Sequence, residues 1–152
     1  MPQLNALVDA IAAARAGGTD VVVVSSGAVA AGLQGLGLQP RQTVAIMLPT
    51  SREYFFAYFG VLLAGGIPVP IYPPARPAQI EEHVRRHTGI LENAEASILV
   101  TVPQAMTVAR LLEAGVPGLR RVVTVAGLTQ GVARAAPPRP ARGDDIAFIQ
   151  YT

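Results

Sequence analysis

Short apolar runs that alternate with helix-period stretches constrain this chain more than any other feature. Val21–Val24, Thr43–Leu48, Ile67–Tyr72, Ser97–Val102, Leu119–Val125 and Ile146–Tyr151 read as extended segments. The stretches Leu4–Arg15, Ala28–Leu36, Ser51–Ala64, Gln79–Asn93 and Pro103–Ala114 read as helices between them. Val21–Val24 places four β-branched residues in a row, which suits a strand buried on both faces. Strand–helix–strand alternation of this kind predicts an α/β layered fold: a mostly parallel sheet, flanking helices and right-handed crossovers.

Local signals sharpen the boundaries. Ser51 is placed to cap a helix whose first turn holds Glu53, and Gly65-Gly66 is placed to end it. Pro68 and Pro70 lie inside the next extended run, so that run is expected at an edge, at a strand end or in irregular form. Pro73–Pro77 reads as a rigid turn. Gln79–Asn93 is amphipathic, with Ile80, Val84, His87 and Leu91 on one face. Gly131–Gly143 reads as a surface segment, and Asp144-Asp145 introduces the last strand.

Composition removes several function classes. The chain has 152 residues, 51% hydrophobic and 14% charged, which is a globular composition with enough length for one core. It has no cysteine, so disulfides, thiolate metal sites and cysteine nucleophiles are excluded. All 12 basic residues are arginine, so a phosphate-loop lysine and a Schiff-base lysine are excluded too. The net charge of +2 is spread out, with no dense basic run, and nucleic acid is not an expected partner. Tyr54–Ala75 is free of charge and about long enough to span a bilayer, but Gly65-Gly66 and its prolines break it into a helix and a strand. No membrane span and no signal peptide are expected, and a cytoplasmic location is.

From about Leu38 to Thr152 the sequence resembles fatty acyl-AMP ligases, a branch of the adenylate-forming AMP-binding family. The residues that carry this are Thr43-Val-Ala-Ile-Met-Leu-Pro-Thr50, Tyr54-Phe-Phe-Ala-Tyr-Phe-Gly60, and above all Ala64-Gly-Gly-Ile-Pro-Val-Pro-Ile-Tyr-Pro-Pro-Ala-Arg-Pro77. Asp145-Ile-Ala-Phe-Ile-Gln-Tyr-Thr152 resembles the strand that feeds the family's nucleotide loop. The resemblance implies an incomplete N-terminal subdomain of an adenylate-forming enzyme. For the whole enzyme it implies ATP-dependent activation of a fatty acid to an acyl adenylate, with ATP and magnesium as cofactors. Thr152 would be the first residue of the nucleotide loop, and the later motifs and the family's lysine are not in these residues. The chain alone is therefore expected to be inactive, with no cofactor of its own.

The first 38 residues resemble something else. Leu7-Val-Asp-Ala-Ile-Ala12 and Val21-Val-Val-Val-Ser-Ser-Gly-Ala-Val-Ala-Ala-Gly32 are similar to the early part of a glutamate 5-kinase, in the amino-acid kinase family. The chain thus reads as chimeric: a helix–strand–helix unit over 1–38 and a ligase-like unit over 39–152, joined near Gly35–Gln39 and able to pack as one domain. The kinase resemblance makes Ser26 and Gly27 substrate-contacting candidates, in a turn whose N–H groups could receive an anion. An ordinary strand-to-helix turn competes with that reading. A non-catalytic α/β module is the remaining alternative.

His83 and His87 are four apart on one helix, a spacing that suits a shared metal. Arg85 and Arg86 oppose a cation there, so a partly exposed helix face is expected instead, and no metal or catalytic residue is assigned. The charge-free aromatic stretch from Tyr54 leads us to expect self-association through an uncovered apolar face.

Overall fold

The computed structural model describes residues 2–19, 26–74, 80–132 and 139–152. The expected strand at Val21–Val24, Ser25, and most of the turn Pro73–Pro77 lie outside the described residues.

Helix α1 covers Pro2–Ala16 and α2 covers Gly27–Gly35; β1 (Thr43–Met47), α3 (Arg52–Leu63), β2 (Ile67–Ile71), α4 (Ile80–Asn93) and β3 (Ile98–Thr101) follow. A short 3₁₀ turn at Pro103–Ala105 enters α5 (Met106–Gly115), and β4 (Arg121–Thr124) runs directly into α6 (Val125–Thr129). The four strands form one sheet in the order β2-β1-β3-β4, every pair parallel.

That order explains where the helices lie. The β1→β2 connection moves one way along the sheet, and β2→β3 and β3→β4 move the other way. Crossovers of one hand then place α3 on one face and α4 and α5 on the opposite face. The cores match this division. Val44, Ile46, Ile98 and Val100 pack with Val29, Leu33, Ala57, Val61 and Leu128 of α2, α3 and α6. Their strand neighbours Ala45, Met47 and Leu99 point the other way, onto Leu91, Ala109 and Leu112 of α4 and α5. Period-two alternation in strands buried on both faces gives the continuous apolar runs from which the sheet was expected.

Helix α3 begins and ends as its sequence predicts. The Ser51 side chain accepts from the Tyr54 N–H at 3.2 Å. At the other end Gly65 takes φ +78, so that Gly65 N–H reaches Leu62 O and Gly66 N–H reaches Val61 O, each at 2.9 Å. This paired closure requires a left-handed residue, which glycine adopts without a Cβ penalty. The charge-free stretch from Tyr54 is thus a helix followed by strand β2. No described helix is long and apolar enough to cross a membrane.

Among the described residues β2 lies at an edge of the sheet, one of the placements expected from Pro68 and Pro70. Two expectations need correction. Ile146–Tyr151 is not a strand of the sheet: it runs beside β2 with one backbone bond, Ile149 N–H to Pro68 O at 3.1 Å. Nor is it buried, since Ile146 is 51% and Phe148 46% exposed. Finally, β4 starts at Arg121 rather than Leu119, and Val125 belongs to α6, whose first turn is capped by the Thr124 hydroxyl accepting from Gly127 N–H at 3.0 Å.

Candidate functional site

The residues singled out in the sequence fall on different layers. Ser26 precedes α2 with φ −96 and ψ −3, and its side chain makes no cap hydrogen bond. It is completely buried, and its Oγ has no hydrogen-bond partner among the described residues. Its carbonyl accepts from Ala30 N–H at 3.0 Å. Gly60 of α3 covers the turn so closely that a Cβ there would stand 3.3 Å from Ser26 O and 2.6 Å from Val29 Cγ1. The Ser26–Gly27 turn therefore sits inside a helix–helix contact.

Thr152 is exposed and follows Tyr151, whose hydroxyl donates to Asn93 Oδ1 of α4 at 2.6 Å. The closing segment alternates as an extended chain does. Phe148 and Gln150 turn toward α3, while Tyr151 reaches α4. The Phe148 ring lies 6.3 Å from that of Tyr58. Tyr54, Phe55, Tyr58, Phe59, Pro70 and Phe148 surround an apolar groove of about 310 Å³, which Gln150 also lines. Tyr54 and Tyr58 stack at 6.1 Å, and burial raises the Tyr58 hydroxyl's pKa, with Tyr54 adding to the effect. Sequence reasoning did not single out this groove. Its signal was present in the two aromatic pairs spaced four apart, Tyr54/Tyr58 and Phe55/Phe59, which put four rings on adjoining stripes of one helix.

A second cavity of about 540 Å³ lies where α3 ends and β2 begins, lined by Arg41, Arg139, Arg142 and Asp145 among others. The Arg139 stem crosses Gly65, and its backbone N–H donates to Leu63 O at 3.0 Å. Its guanidinium is thereby placed near the negative end of the α3 dipole. Asp145 stands 3.9 Å from Arg41 and accepts from Arg142 N–H at 2.9 Å.

His83 and His87 are both buried, not on a partly exposed face as expected, because α4 packs this side of its surface onto the sheet. Their rings stack at 3.8 Å and 21°. His87 Nδ1–H donates to His83 O at 2.8 Å, and Tyr72 meets the His87 ring edge-on at 5.6 Å. Burial, then the neighbouring ring, pushes the His83 pKa down to about 4; burial also lowers that of His87. Nearly parallel rings do not converge their lone pairs on one ion. No group of three His, Cys, Asp or Glu that could hold a metal occurs among the described residues. The described residues therefore do not fit a magnesium site.

A family model described as "AMP-binding enzyme" matches residues 10–152. The chain is 35% identical over 128 residues to a long-chain-fatty-acid–AMP ligase of Mycolicibacterium smegmatis, covering 82% of this chain and 20% of that protein. Among solved structures it is similar to one from a study of fatty acyl-adenylate ligases from E. coli and L. pneumophila, with TM-score 0.74 and 27% identity over 83% of this chain and 22% of that one. It is also similar to the L. pneumophila fatty acyl-adenylate ligase in complex with acyl adenylate and pyrophosphate, with TM-score 0.68 and 26% identity over 84% of this chain and 21% of that one. The chain spans about a fifth of the length of the curated ligases it matches.

Proposed function

This chain belongs to the AMP-binding enzyme family, and we propose that the protein carrying it activates a fatty acid with ATP, forming a fatty acyl adenylate. The observation that carries this reading is the joint likeness to fatty acid–AMP ligases in sequence and in fold, over more than four fifths of the chain in each case. In the proposed reaction a carboxylate oxygen attacks the α-phosphorus of ATP, the bond to the bridging oxygen breaks, and pyrophosphate leaves. Charge develops on the phosphoryl oxygens, and donors fixed in advance stabilise it.

The chain's own contribution is structural. Its sheet and helices carry residues 146–151 alongside β2 and present Thr152, an exposed hydroxyl proposed to begin the nucleotide-binding loop. The sequence holds no lysine and the described residues hold no acidic cluster for magnesium, so we infer that these 152 residues alone do not turn over. ATP, magnesium and fatty acid are proposed for the whole enzyme. Self-association belongs to the same reading, because Phe55, Phe59 and Phe148 stand exposed around one groove that a second copy could cover. The test of function is release of pyrophosphate and appearance of acyl adenylate when the protein carrying this chain meets ATP and a long-chain fatty acid.

A further inference from the structure

We propose that Asn93 is a positioning residue for adenylate formation: its side-chain oxygen holds the Tyr151 hydroxyl and thereby sets where Thr152 meets the nucleotide. The inference rests on the ligase reading, which puts the nucleotide loop at Thr152. The contact that carries it is in the fold itself: Tyr151 Oη–H donates to Asn93 Oδ1 at 2.6 Å, across 58 positions of sequence.

Helix α4 closes without the Asn93 side chain. Glu95 takes the left-handed conformation, φ 52, so that Glu95 N–H reaches Glu92 O at 3.0 Å and Ala96 N–H reaches Leu91 O at 2.9 Å. These two backbone bonds are the paired closure of a helix end, and they satisfy its carbonyls. The turn is then pinned to the sheet. The Thr43 hydroxyl of β1, itself buried, donates to Ala94 O at 2.6 Å, and Ala94 and Ala96 are buried beside it. Asn93 thus stands on a fixed backbone, exposed, in the last turn of a helix that does not use its amide. Asparagine is a poor helix former, so the position costs the helix a little. The partner it holds accounts for that cost.

Tyr151 converts this bond into a direction for the chain. Its phenol is a rigid arm with two rotatable bonds, so fixing the hydroxyl fixes the ring and the backbone that bears it at little entropic cost. Thr152 is the next residue and inherits that direction. Donors that stabilise a transferring phosphoryl group act when they are held in place beforehand, and a misplacement of about 1 Å is costly. Asn93 touches neither substrate nor nucleotide in this account. It acts through Tyr151, from a post anchored on β1 by Thr43.

The test uses the whole protein that carries this chain. Asn93→Ala removes the acceptor and keeps a good helix former, so the fold is expected to persist. It is expected to raise the KM for ATP about three- to ten-fold, the range of one net hydrogen bond, while the KM for the fatty acid at saturating ATP stays within about two-fold. Tyr151→Phe is expected to do the same, and the double variant no more than either single one. Asn93→Asp keeps an acceptor and is expected to restore the KM for ATP to within about two-fold. Equal rises in both KM values, effects of the two single variants that multiply, or no effect of Asn93→Ala would overturn the proposal. If Asn93→Ala does not fold, Tyr151→Phe decides by the same split between the two substrates. A folded, unaltered protein that makes no acyl adenylate defeats the ligase reading instead. Amide exchange at Thr152 then decides whether Asn93 holds the chain: Asn93→Ala is expected to speed it about three-fold or more, and an unchanged rate overturns the proposal.

Discussion

Gly32 of α2 lies against the backbone of Leu128 in α6 so closely that a Cβ on residue 32 would stand 2.1 Å from the Leu128 carbonyl oxygen. The obstacle is main chain, which cannot swing aside as a side-chain tip can. The contact ties a helix within the first 38 residues to one near the far end of the chain, and Leu33 and Leu128 share its core. Gly32→Ala must push α2 and α6 apart, and about 2–4 kcal/mol of stability is expected to be lost. Chemical denaturation measures this directly. A loss below about 0.5 kcal/mol would mean that α2 is not seated on α6 as described.

Ser26→Ala tests the reading of the Ser26–Gly27 turn. The hydroxyl is buried without a partner among the described residues, so replacing it by a hydrogen removes a desolvation cost. Stability is expected to stay level or rise by up to about 1 kcal/mol. Affinity for glutamate or phosphate is expected to stay millimolar or weaker in both proteins, a binding energy of about 4 kcal/mol or less. Micromolar binding of either anion, lost on substitution, would instead support the kinase-like reading of the turn.

The buried histidine pair predicts an acid-side loss of stability. In the unfolded chain His83 takes a proton near its ordinary pKa of 6.5, whereas in the fold it stays neutral until about 4. Between those values the unfolded state binds more protons, so stability is greatest above the unfolded value and falls as the pH drops through this window. Arg86 also disfavours charge on His87. The expected loss is roughly 1–2 kcal/mol, allowing for solvent near the helix surface. His83→Leu is expected to flatten most of that slope. An unchanged slope in the variant, measured by urea unfolding across the window, would place the proton uptake elsewhere.

The aromatic face predicts concentration-dependent association. Phe55 is 49% and Phe59 39% exposed on the same helix, beside exposed Phe148. Covering these rings on both copies, at roughly 25 cal/mol per Å², offsets much of the entropic cost of association and so favours weak pairing. Sedimentation should show association of the chain, and Phe55→Ser with Phe59→Ser should shift it toward monomer. A clean monomer of the unaltered chain at high concentration would contradict this.

Much of the fold was legible because local and global signals agree. Ser51 caps α3 and Gly65-Gly66 closes it where the sequence places them, and the prolines of β2 announce an edge. The closing segment was misread because alternation in Ile146–Tyr151 reports an extended chain, whereas pairing depends on donors the partner lacks. His83 was misread because a histidine serves on a wet or a dry face, and only the docking of α4 decides between them. Helix α6 went unseen because Val125 continues a β-branched run until the Thr124 hydroxyl caps a turn. The residues singled out in the sequence do not come together: Ser26 and Gly27 lie in a turn between α2 and α3, and Thr152 is exposed beyond Tyr151. The groove between α3 and Phe148 arises from residues 90 positions apart, Tyr58 and Phe148, which no local pattern connects.

The most direct test of the central claim is product analysis by mass spectrometry. The protein carrying this chain is supplied with ATP, magnesium and a long-chain fatty acid, without coenzyme A, beside residues 1–152 alone and a heat-killed control. The account predicts fatty acyl adenylate and an equal amount of pyrophosphate from the whole protein, and neither from residues 1–152 alone. Acyl adenylate formed only from aromatic acids, or no adenylate from any carboxylate by a folded whole protein, would contradict it.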